Sequence, residues 1–104
     1  MSKKHYWVYI LHCQNNSYYT GYTTDLENRY QTHLKGTGSK YTRSFKPISI
    51  AQQWKLYCEK NIAMKIEREI KKLSRLEKEM LIATPQLLLN LYNELKSECD
   101  ILQT

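Results

Sequence analysis

The sequence predicts an α+β domain: a small three-stranded antiparallel sheet flanked by helices, with an additional helix at the C-terminus. Aromatic and β-branched residues fill "YWVYIL" and "YYTGY", and the turn formers "CQNNS" stand between these two stretches. Further along, apolar residues recur every three or four positions from Ala63 to Leu73, which is the spacing of a helix. A hairpin, then a strand, then several helices define the predicted class.

The first two strands are predicted to form a hairpin. The residues from Tyr6 to His12 favour a buried strand, and strand character returns after the turn. If the turn has about three residues, Tyr9 and Tyr19 are directly opposite each other on neighbouring strands. Two phenols would then share one face of the sheet.

A helix is predicted to follow the hairpin, from about Asp25 to Lys35. Thr24 stands three residues before Glu27, which is the pattern of a capping box, and Gly36 is available to end the helix.

Arg29 and His33 are four residues apart on this helix, so their side chains lie on one face. On that spacing alone, a solvated polar face is the commoner interpretation. The hairpin favours a functional one, because Tyr9 and Tyr19 come from the element directly before it.

The remaining elements follow from local patterns. "GTGSKYTRSFKP" is a basic loop that no periodicity organises, and "ISIAQQWKLYCE" is predicted to be the third strand. The apolar face from Ala63 to Leu73 predicts a second helix. Ser74 with Glu77 is another capping box, which predicts a further helix through Leu81.

The C-terminal segment is predicted to be a helical extension. Residues 1–83 form the predicted domain, and residues 84–104 form a helix that packs on it, with Pro85 at its first turn. We expect the apolar stripe of this helix to cover its own domain, which favours a monomer; a homodimer through the helix is the alternative. The stripe consists of Leu88, Leu91, Tyr92 and Leu95.

Composition limits the class of function. The 104 residues suffice for one core, and the formal net charge of +6 favours polyanionic partners, nucleic acid first and an anionic membrane surface second. The three cysteines are widely spaced without a C-x-x-C pattern, so neither a disulfide framework nor a zinc site is indicated. The apolar run before His12 is too short for a signal peptide or a membrane span, which predicts a cytoplasmic protein.

Several ordered blocks resemble a known family, the GIY-YIG nuclease superfamily. Trp7-Val8-Tyr9 stands in the place of one name-giving triplet and Tyr19-Thr20-Gly21 in that of the other. The stretch "TTDLENRYQTH" is similar to the segment that carries the family's helix arginine and a histidine, and "AMKIEREIKKLSRLEKEMLI" is similar to its glutamate-bearing segment. Within the superfamily, the chain resembles small stand-alone proteins similar to the N-terminal endonuclease domain of the UvrC excision-repair nuclease. The similarity extends from about Tyr6 to Ile82.

This resemblance implies a GIY-YIG-type fold and a metal-dependent endonuclease that hydrolyses DNA phosphodiester bonds, in DNA repair or recombination. It also implies a single Mg²⁺ or Mn²⁺ ion at Glu67, because one carboxylate suits a hard ion that keeps several waters. Arg29 would brace the phosphate with its planar fork of donors. The catalytic residues implied are Tyr9, Tyr19, Arg29, His33 and Glu67.

The roles implied for Tyr9 and His33 concern protons. Tyr9 would orient or deprotonate the attacking water, with Tyr19 hydrogen-bonded nearby, although a phenol of pKa about 10 is a poor base unless the site lowers that value. His33 would assist proton transfer or hold the phosphate, since imidazole titrates near neutrality.

Five cations are predicted to bind nucleic acid. Those of the loop are interleaved with Tyr41 and Phe45, which suits phosphate contacts beside base stacking, although a merely soluble basic loop fits the same letters. The predicted residues are Lys40, Arg43, Lys46, Lys71 and Lys72.

Three alternatives stay open. Taken without the family, Glu67 would be a solvated glutamate paired with Lys71, four residues on. The domain would then be a nucleic-acid-binding module without catalysis, or an adaptor that binds proteins through its leucine-rich C-terminal helix. DNA is the expected partner, with RNA not excluded.

Overall fold

The computed structural model describes residues 3–91 and 99–103 and has an α+β fold, which confirms the predicted class. Its strands are β1 (Lys4–Cys13), β2 (Tyr18–Thr23), β3 (Pro47–Cys58) and β4 (Cys99–Gln103). Its helices are α1 (Leu26–Leu34), α2 (Lys40–Ser44), α3 (Lys60–Lys72), α4 (Arg75–Ala83) and α5 (Leu87–Leu91).

The sheet has four antiparallel strands in the order β2-β1-β3-β4, so the prediction of three strands was wrong. The fourth strand lies in the segment that was predicted to be a helix. Among the residues of this segment that the structure describes, Leu87–Leu91 is helical, and Cys99–Gln103 pairs with the end of β3. The backbone groups along the outer edge of β3 are satisfied by this pairing, and local helical spacing carries no information about such an edge.

Alternation along β1 divides the interior into two parts. Side chains of even-numbered residues, such as Val8 and Ile10, pack with Trp54 of β3 against α3, and Leu81 and Leu88 complete this larger core. Odd-numbered side chains of β1 point to the other face, where Tyr9, Leu11 and Cys13 form a smaller cluster with Leu26 of α1. The predicted site residues Tyr9 and Tyr19 therefore lie on the face covered by α1 and α2.

The hairpin has a different register from the one predicted. Tyr9 is opposite Gly21, and Tyr19 is opposite Leu11, because four residues separate β1 from β2 and Asn16 takes a positive φ of 62°. The register is displaced by two residues. Because side chains alternate with a period of two, both phenols still share one face.

Caps begin three of the helices. The N-cap of α1 is Asp25, which accepts a hydrogen bond from the Asn28 amide, so the predicted Thr24–Glu27 box was wrong. The Ser74–Glu77 capping box of α4 is confirmed. Ser39 caps α2, a five-residue helix inside the stretch predicted to be an irregular loop. A helix of one turn is too short for periodicity to reveal it.

The segment that follows α4 is joined to the larger core. The Trp54 indole N–H donates to the Pro85 carbonyl oxygen at 3.0 Å, and Leu88 is fully buried. Of the predicted apolar stripe, Tyr92 and Leu95 lie outside the described residues. No helix in the described part of the chain is both long enough and apolar enough to cross a bilayer.

Candidate active site

Tyr9 of β1 and His33 of α1 form a buried hydrogen-bonded pair. The Tyr9 hydroxyl and His33 Nε2 are 2.9 Å apart, and both side chains are almost inaccessible to solvent. The phenol reaches His33 by crossing the backbone of β2 at Gly21, where a Cβ atom would clash with the Tyr9 ring. Glycine at this position is therefore required for the pair to form.

His33 is held from its other side by α2 and the loop before it. His33 Nδ1 lies 2.8 Å from the Thr42 hydroxyl, which in turn lies 2.9 Å from the Ser39 hydroxyl. A side chain at Gly38 would clash with the imidazole ring. Together with the bond to Tyr9, the bond to Thr42 and the close approach of Gly38 fix the ring in one orientation.

The hydrogen bonds of His33 relate its tautomer to the direction of the Tyr9 hydroxyl. When the protonated phenol donates to Nε2, the ring proton is on Nδ1 and is donated to Thr42. The Thr42 hydroxyl can then donate to the Ser39 carbonyl oxygen, 3.4 Å away. Thr42 thus positions Tyr9 through the histidine.

Burial sets the protonation of both groups. It raises the pKa of the Tyr9 phenol to about 12, against a hydrogen bond from the Arg29 side chain that lowers it. It also lowers the pKa of His33 to about 4, and the nearby Arg29 charge adds to this effect. Both groups are neutral at pH 7. In this state, Tyr9 is a hydrogen-bond donor and not a base.

Arg29 lies next to this pair and is half-buried. One of its terminal nitrogens donates to the Gly38 carbonyl oxygen at 2.9 Å, which fixes the guanidinium against the loop before α2. Arg29 also lines an open cleft of about 530 Å³ beside the edge strand β2, together with Lys4, Tyr22 and Lys60. Arg29 thus borders a cleft, and a guanidinium can donate two parallel hydrogen bonds to a phosphate.

Glu67 of α3 is near enough to Tyr9 for its charge to raise the pKa of the phenol. The Glu67 carboxylate also accepts from Lys71 at 2.9 Å, and its side chain is only 14% exposed. The next lysine, Lys72, pairs with Glu69 at 3.4 Å. Both cations that were predicted on α3 thus have a carboxylate partner on the same helix.

Tyr19 contacts the site through its ring. The edge of this ring meets the His33 imidazole at a centroid distance of 5.2 Å. Its face stacks on Tyr41 of α2, with centroids 5.8 Å apart and planes inclined by 22°. The geometry makes Tyr19 a packing partner of the histidine.

The predicted loop cations are at the surface around α2. Lys40, Arg43 and Lys46 are all exposed, as are the Tyr41 and Phe45 rings between them. The stack of Tyr41 on Tyr19 connects this basic surface to the Tyr9–His33 pair.

The oxygen ligand available at the site suits a hard cation, but the described side chains do not form a complete metal-binding cage. Across residues 3–91 and 99–103, no three His, Cys, Asp or Glu side chains are grouped so as to hold a metal ion. Glu67 offers a single carboxylate beside Tyr9, which suits Mg²⁺ or Mn²⁺, since these ions keep waters and take oxygens from a phosphate. Lys71 would have to share or release Glu67 when such an ion binds.

The sequence match decides the family. The model of the GIY-YIG catalytic domain matches residues 5–80, a range that contains Tyr9, Arg29, His33 and Glu67. The chain belongs to the GIY-YIG family. The predicted resemblance is thereby confirmed, and the chain is placed in a family of nucleases that act on nucleic acid and generally use divalent metals.

Similar GIY-YIG proteins carry the name UPF0213. The UPF0213 protein BH0048 of Halalkalibacterium halodurans is 45% identical over 78 residues, which cover 75% of this chain and 82% of that protein. SH2523 of Staphylococcus haemolyticus is 48% identical over 75 residues, covering 72% and 89%. The solution NMR structure of BH0048 is 44% identical, covers 77% of this chain and 84% of that one, and superposes with a TM-score of 0.49.

Sequence reasoning missed part of the candidate site. The sequence predicted no role at the site for Gly38, Ser39 and Thr42, which lie in the stretch that was predicted to be an irregular loop. It also predicted none for Lys4 and Lys60. Ser39 three residues before Thr42 is a helix-start signal that could have been noticed. Nothing local indicates that Lys4 and Lys60 lie beside Arg29, because strand pairing and helix packing bring them there.

Proposed function

We propose that the protein is a metal-dependent endonuclease that hydrolyses phosphodiester bonds of DNA, and that it serves DNA repair or recombination. The observation that carries this proposal is the environment of the Tyr9 phenol. It is hydrogen-bonded to His33, and the charges of Arg29 and Glu67 both act on it. One hydroxyl thus has a proton acceptor, a cation and a carboxylate around it, supplied by α1 and α3.

Arg29 binds the phosphate in this proposal. Its bond to the Gly38 carbonyl oxygen fixes the plane of the guanidinium, and Arg29 is among the residues that line the cleft beside β2. A guanidinium can donate two parallel hydrogen bonds to phosphate oxygens and stabilise the charge that develops on them during hydrolysis.

Tyr9 positions the attacking water. With a pKa of about 12, the phenol stays protonated at neutral pH, donates to His33, accepts from Arg29 and offers its remaining oxygen lone pair to a water molecule. His33 therefore fixes the direction of that lone pair. Tyr9 becomes a base only if neighbouring positive charge lowers its pKa substantially.

Glu67 would hold the metal ion. A divalent cation at this carboxylate, when bound, polarises the phosphate and lowers the pKa of water. The chain contributes the position of Glu67 on α3, whose buried face is anchored in the larger core by Ile66 and Ile70.

The test is cleavage of labelled DNA by Glu67→Gln in a titration of Mg²⁺ or Mn²⁺. Glu69→Gln is the matched control, because Glu69 lies on the same helix and pairs with Lys72 as Glu67 does with Lys71. We expect Glu67→Gln to fold, to bind DNA in chelator and to cut at least about 100-fold more slowly, a loss typical of removing one transition-state interaction. Glu69→Gln should cut like the wild type.

Two results would contradict the proposal. Cleavage by Glu67→Gln at the wild-type rate would exclude Glu67 as the metal anchor. Binding without cleavage by the wild type, on every DNA and RNA structure and with either metal, would establish instead a binding module without catalysis.

A further inference from the structure

The aromatic side chains of α2 form a surface that the chemistry proposed above does not use. Tyr41 is 36% exposed and Phe45 is 39% exposed, and their ring centroids are 5.3 Å apart. Tyr19 continues this row inward, since it stacks on Tyr41 and contacts His33. We call Tyr19, Tyr41 and Phe45 the aromatic row. It leads without a break from the Tyr9–His33 pair to solvent.

The hairpin turn holds the aromatic row in place. The Tyr41 hydroxyl is hydrogen-bonded to the Ser17 hydroxyl and accepts from the Asn15 side-chain amide at 3.4 Å. The Gln14 backbone N–H donates to the Lys46 carbonyl oxygen at 2.9 Å, which joins the chain just after α2 to the same turn. Rings that are ordered in advance lose less conformational entropy when a ligand binds.

The turn itself is braced by α4. The Arg75 guanidinium donates to the Asn16 carbonyl oxygen at 2.6 Å and lies over the Tyr18 ring at 4.6 Å. The row is therefore supported from β2, from the turn and, through the turn, from α4. This much support for side chains that remain exposed indicates a binding surface.

The charges around the row favour a polyanionic ligand. Lys40, Arg43 and Lys46 are exposed and alternate with the two outer rings along the sequence, and the ion pairs found within the described ranges involve none of them. Sites that bind single strands combine cations, which contact the phosphate backbone, with aromatic rings on which the bases stack.

We propose that the aromatic row binds an unpaired nucleobase, so that the substrate is a polynucleotide with a single-stranded nucleotide next to the phosphate that is cut. This inference rests on the proposed function for the position of that phosphate. In a duplex, neighbouring bases cover both faces of each base, so a face becomes available only when the strand is unpaired or the base is flipped. The row begins at ring contact with His33, which places the stacked nucleotide beside the reacting one.

Binding in chelator tests the proposal without cleavage. The wild type is titrated with single-stranded and duplex oligonucleotides of the same sequence, in DNA and RNA versions. Phe45→Leu keeps an apolar side chain and removes the ring, while Tyr57→Leu is the matched control because Tyr57 on β3 is equally exposed, at 37%, and also lies near a lysine.

We expect the wild type to prefer the single strand and Phe45→Leu to weaken that binding by roughly 5- to 150-fold, the range that corresponds to one lost stacking contact. Its duplex affinity should change by less than about twofold, as should every affinity of Tyr57→Leu. No preference in the wild type, an unchanged single-strand affinity in Phe45→Leu, or an equal loss for both strands would overturn the proposal.

A second measurement detects the stacked base directly in the wild-type protein. A 2-aminopurine base placed at successive positions of the single strand should lose fluorescence where it stacks on the row, and Phe45→Trp should preserve that loss. Unquenched fluorescence at every position would overturn the proposal. Because both assays measure binding in chelator, their results do not depend on whether the protein cleaves nucleic acid. An inactive protein that still prefers single strands would contradict the proposed function alone.

Discussion

At the scale of single residues, Thr42 deserves the first experiment because it reaches the candidate chemistry only through another side chain. Thr42→Val keeps the shape but leaves the Nδ1 proton of His33 buried and unpaired, which costs about 1–3 kcal/mol of stability. Without Thr42 as an acceptor, the ring proton is no longer held on Nδ1, and Nε2 is no longer held as the acceptor of the Tyr9 hydroxyl. Cleavage should therefore fall while DNA binding is retained.

The comparison for Thr42→Val is Thr20→Val. Thr20 is also buried, but its hydroxyl has no hydrogen-bond partner among the described residues. Its replacement should change the unfolding free energy by less than about 1 kcal/mol and leave cleavage unchanged. Thermal unfolding, cleavage rates and the ¹⁵N shifts of His33 provide the measurements, and Thr42→Ser should restore the wild-type spectrum. A wild-type His33 spectrum in Thr42→Val would exclude this role.

Single residues also show how far the sequence could predict the site. The i, i+4 spacing placed Arg29 and His33 on one face, and the structure has both beside Tyr9. The opposition of Tyr9 and Tyr19 failed because it depended on the length of a turn whose residue Asn16 adopts a positive φ. The hydrogen bonds of Thr42 and the clearance at Gly38 arise from packing between α1 and α2, which no spacing encodes.

At the scale of elements, the exposed cations of α2 and the paired cations of α3 should differ in their contribution to binding. Arg43 has no carboxylate partner in the ion pairs of the described part, whereas Lys72 is paired with Glu69. Arg43→Ala should reduce the slope of log Kd against log salt by about 0.7–0.9, the value of one phosphate contact. Lys72→Ala should reduce it by less, because the change also frees a carboxylate.

The measurement for this prediction is a salt titration of oligonucleotide binding in chelator. Equal slopes for the wild type and Arg43→Ala would remove α2 from the contact with phosphates. A larger effect in Lys72→Ala than in Arg43→Ala would move the main phosphate contact to α3, whose lysines were also predicted to bind nucleic acid.

Elements were predictable where a long pattern specified them and unpredictable where a partner did. The apolar face of α3 and the capping box of α4 are local, and both were found. The α2 helix has five residues and depends on the Ser39 cap and on contacts with the hairpin turn. The β4 strand pairs with the edge of β3, a partner that is distant in the sequence. Without that partner, the local sequence of β4 favoured the continuation of a helix.

At the scale of the whole molecule, burial of the neutral His33 makes stability depend on pH. The pKa of His33 is about 4 in the folded state and about 6.5 when unfolded, so between these values the unfolded chain binds the extra proton. The contribution is fully present above pH 6.5 and is lost as the pH falls towards 4, by about 3 kcal/mol.

Urea unfolding between pH 4 and 8 measures this dependence, with His33→Gln as the comparison. The variant should be less stable at pH 7 but should show a flatter profile between pH 6.5 and 4, since the group that titrates has been removed. A decline of the same size in both proteins would assign the effect to other residues.

The positions of the site residues along the chain have a consequence for the order of assembly. Tyr9, Arg29, His33 and Thr42 come from one continuous stretch that the hairpin, α1 and α2 bring together by contacts close in sequence, and such contacts form early. Glu67 reaches them only when α3 packs its apolar face on the completed sheet. Under the proposed function, a nascent or partly folded chain can hold a phosphate without a metal anchor. The ability to cut then requires the packing of α3 in addition to the hairpin, α1 and α2.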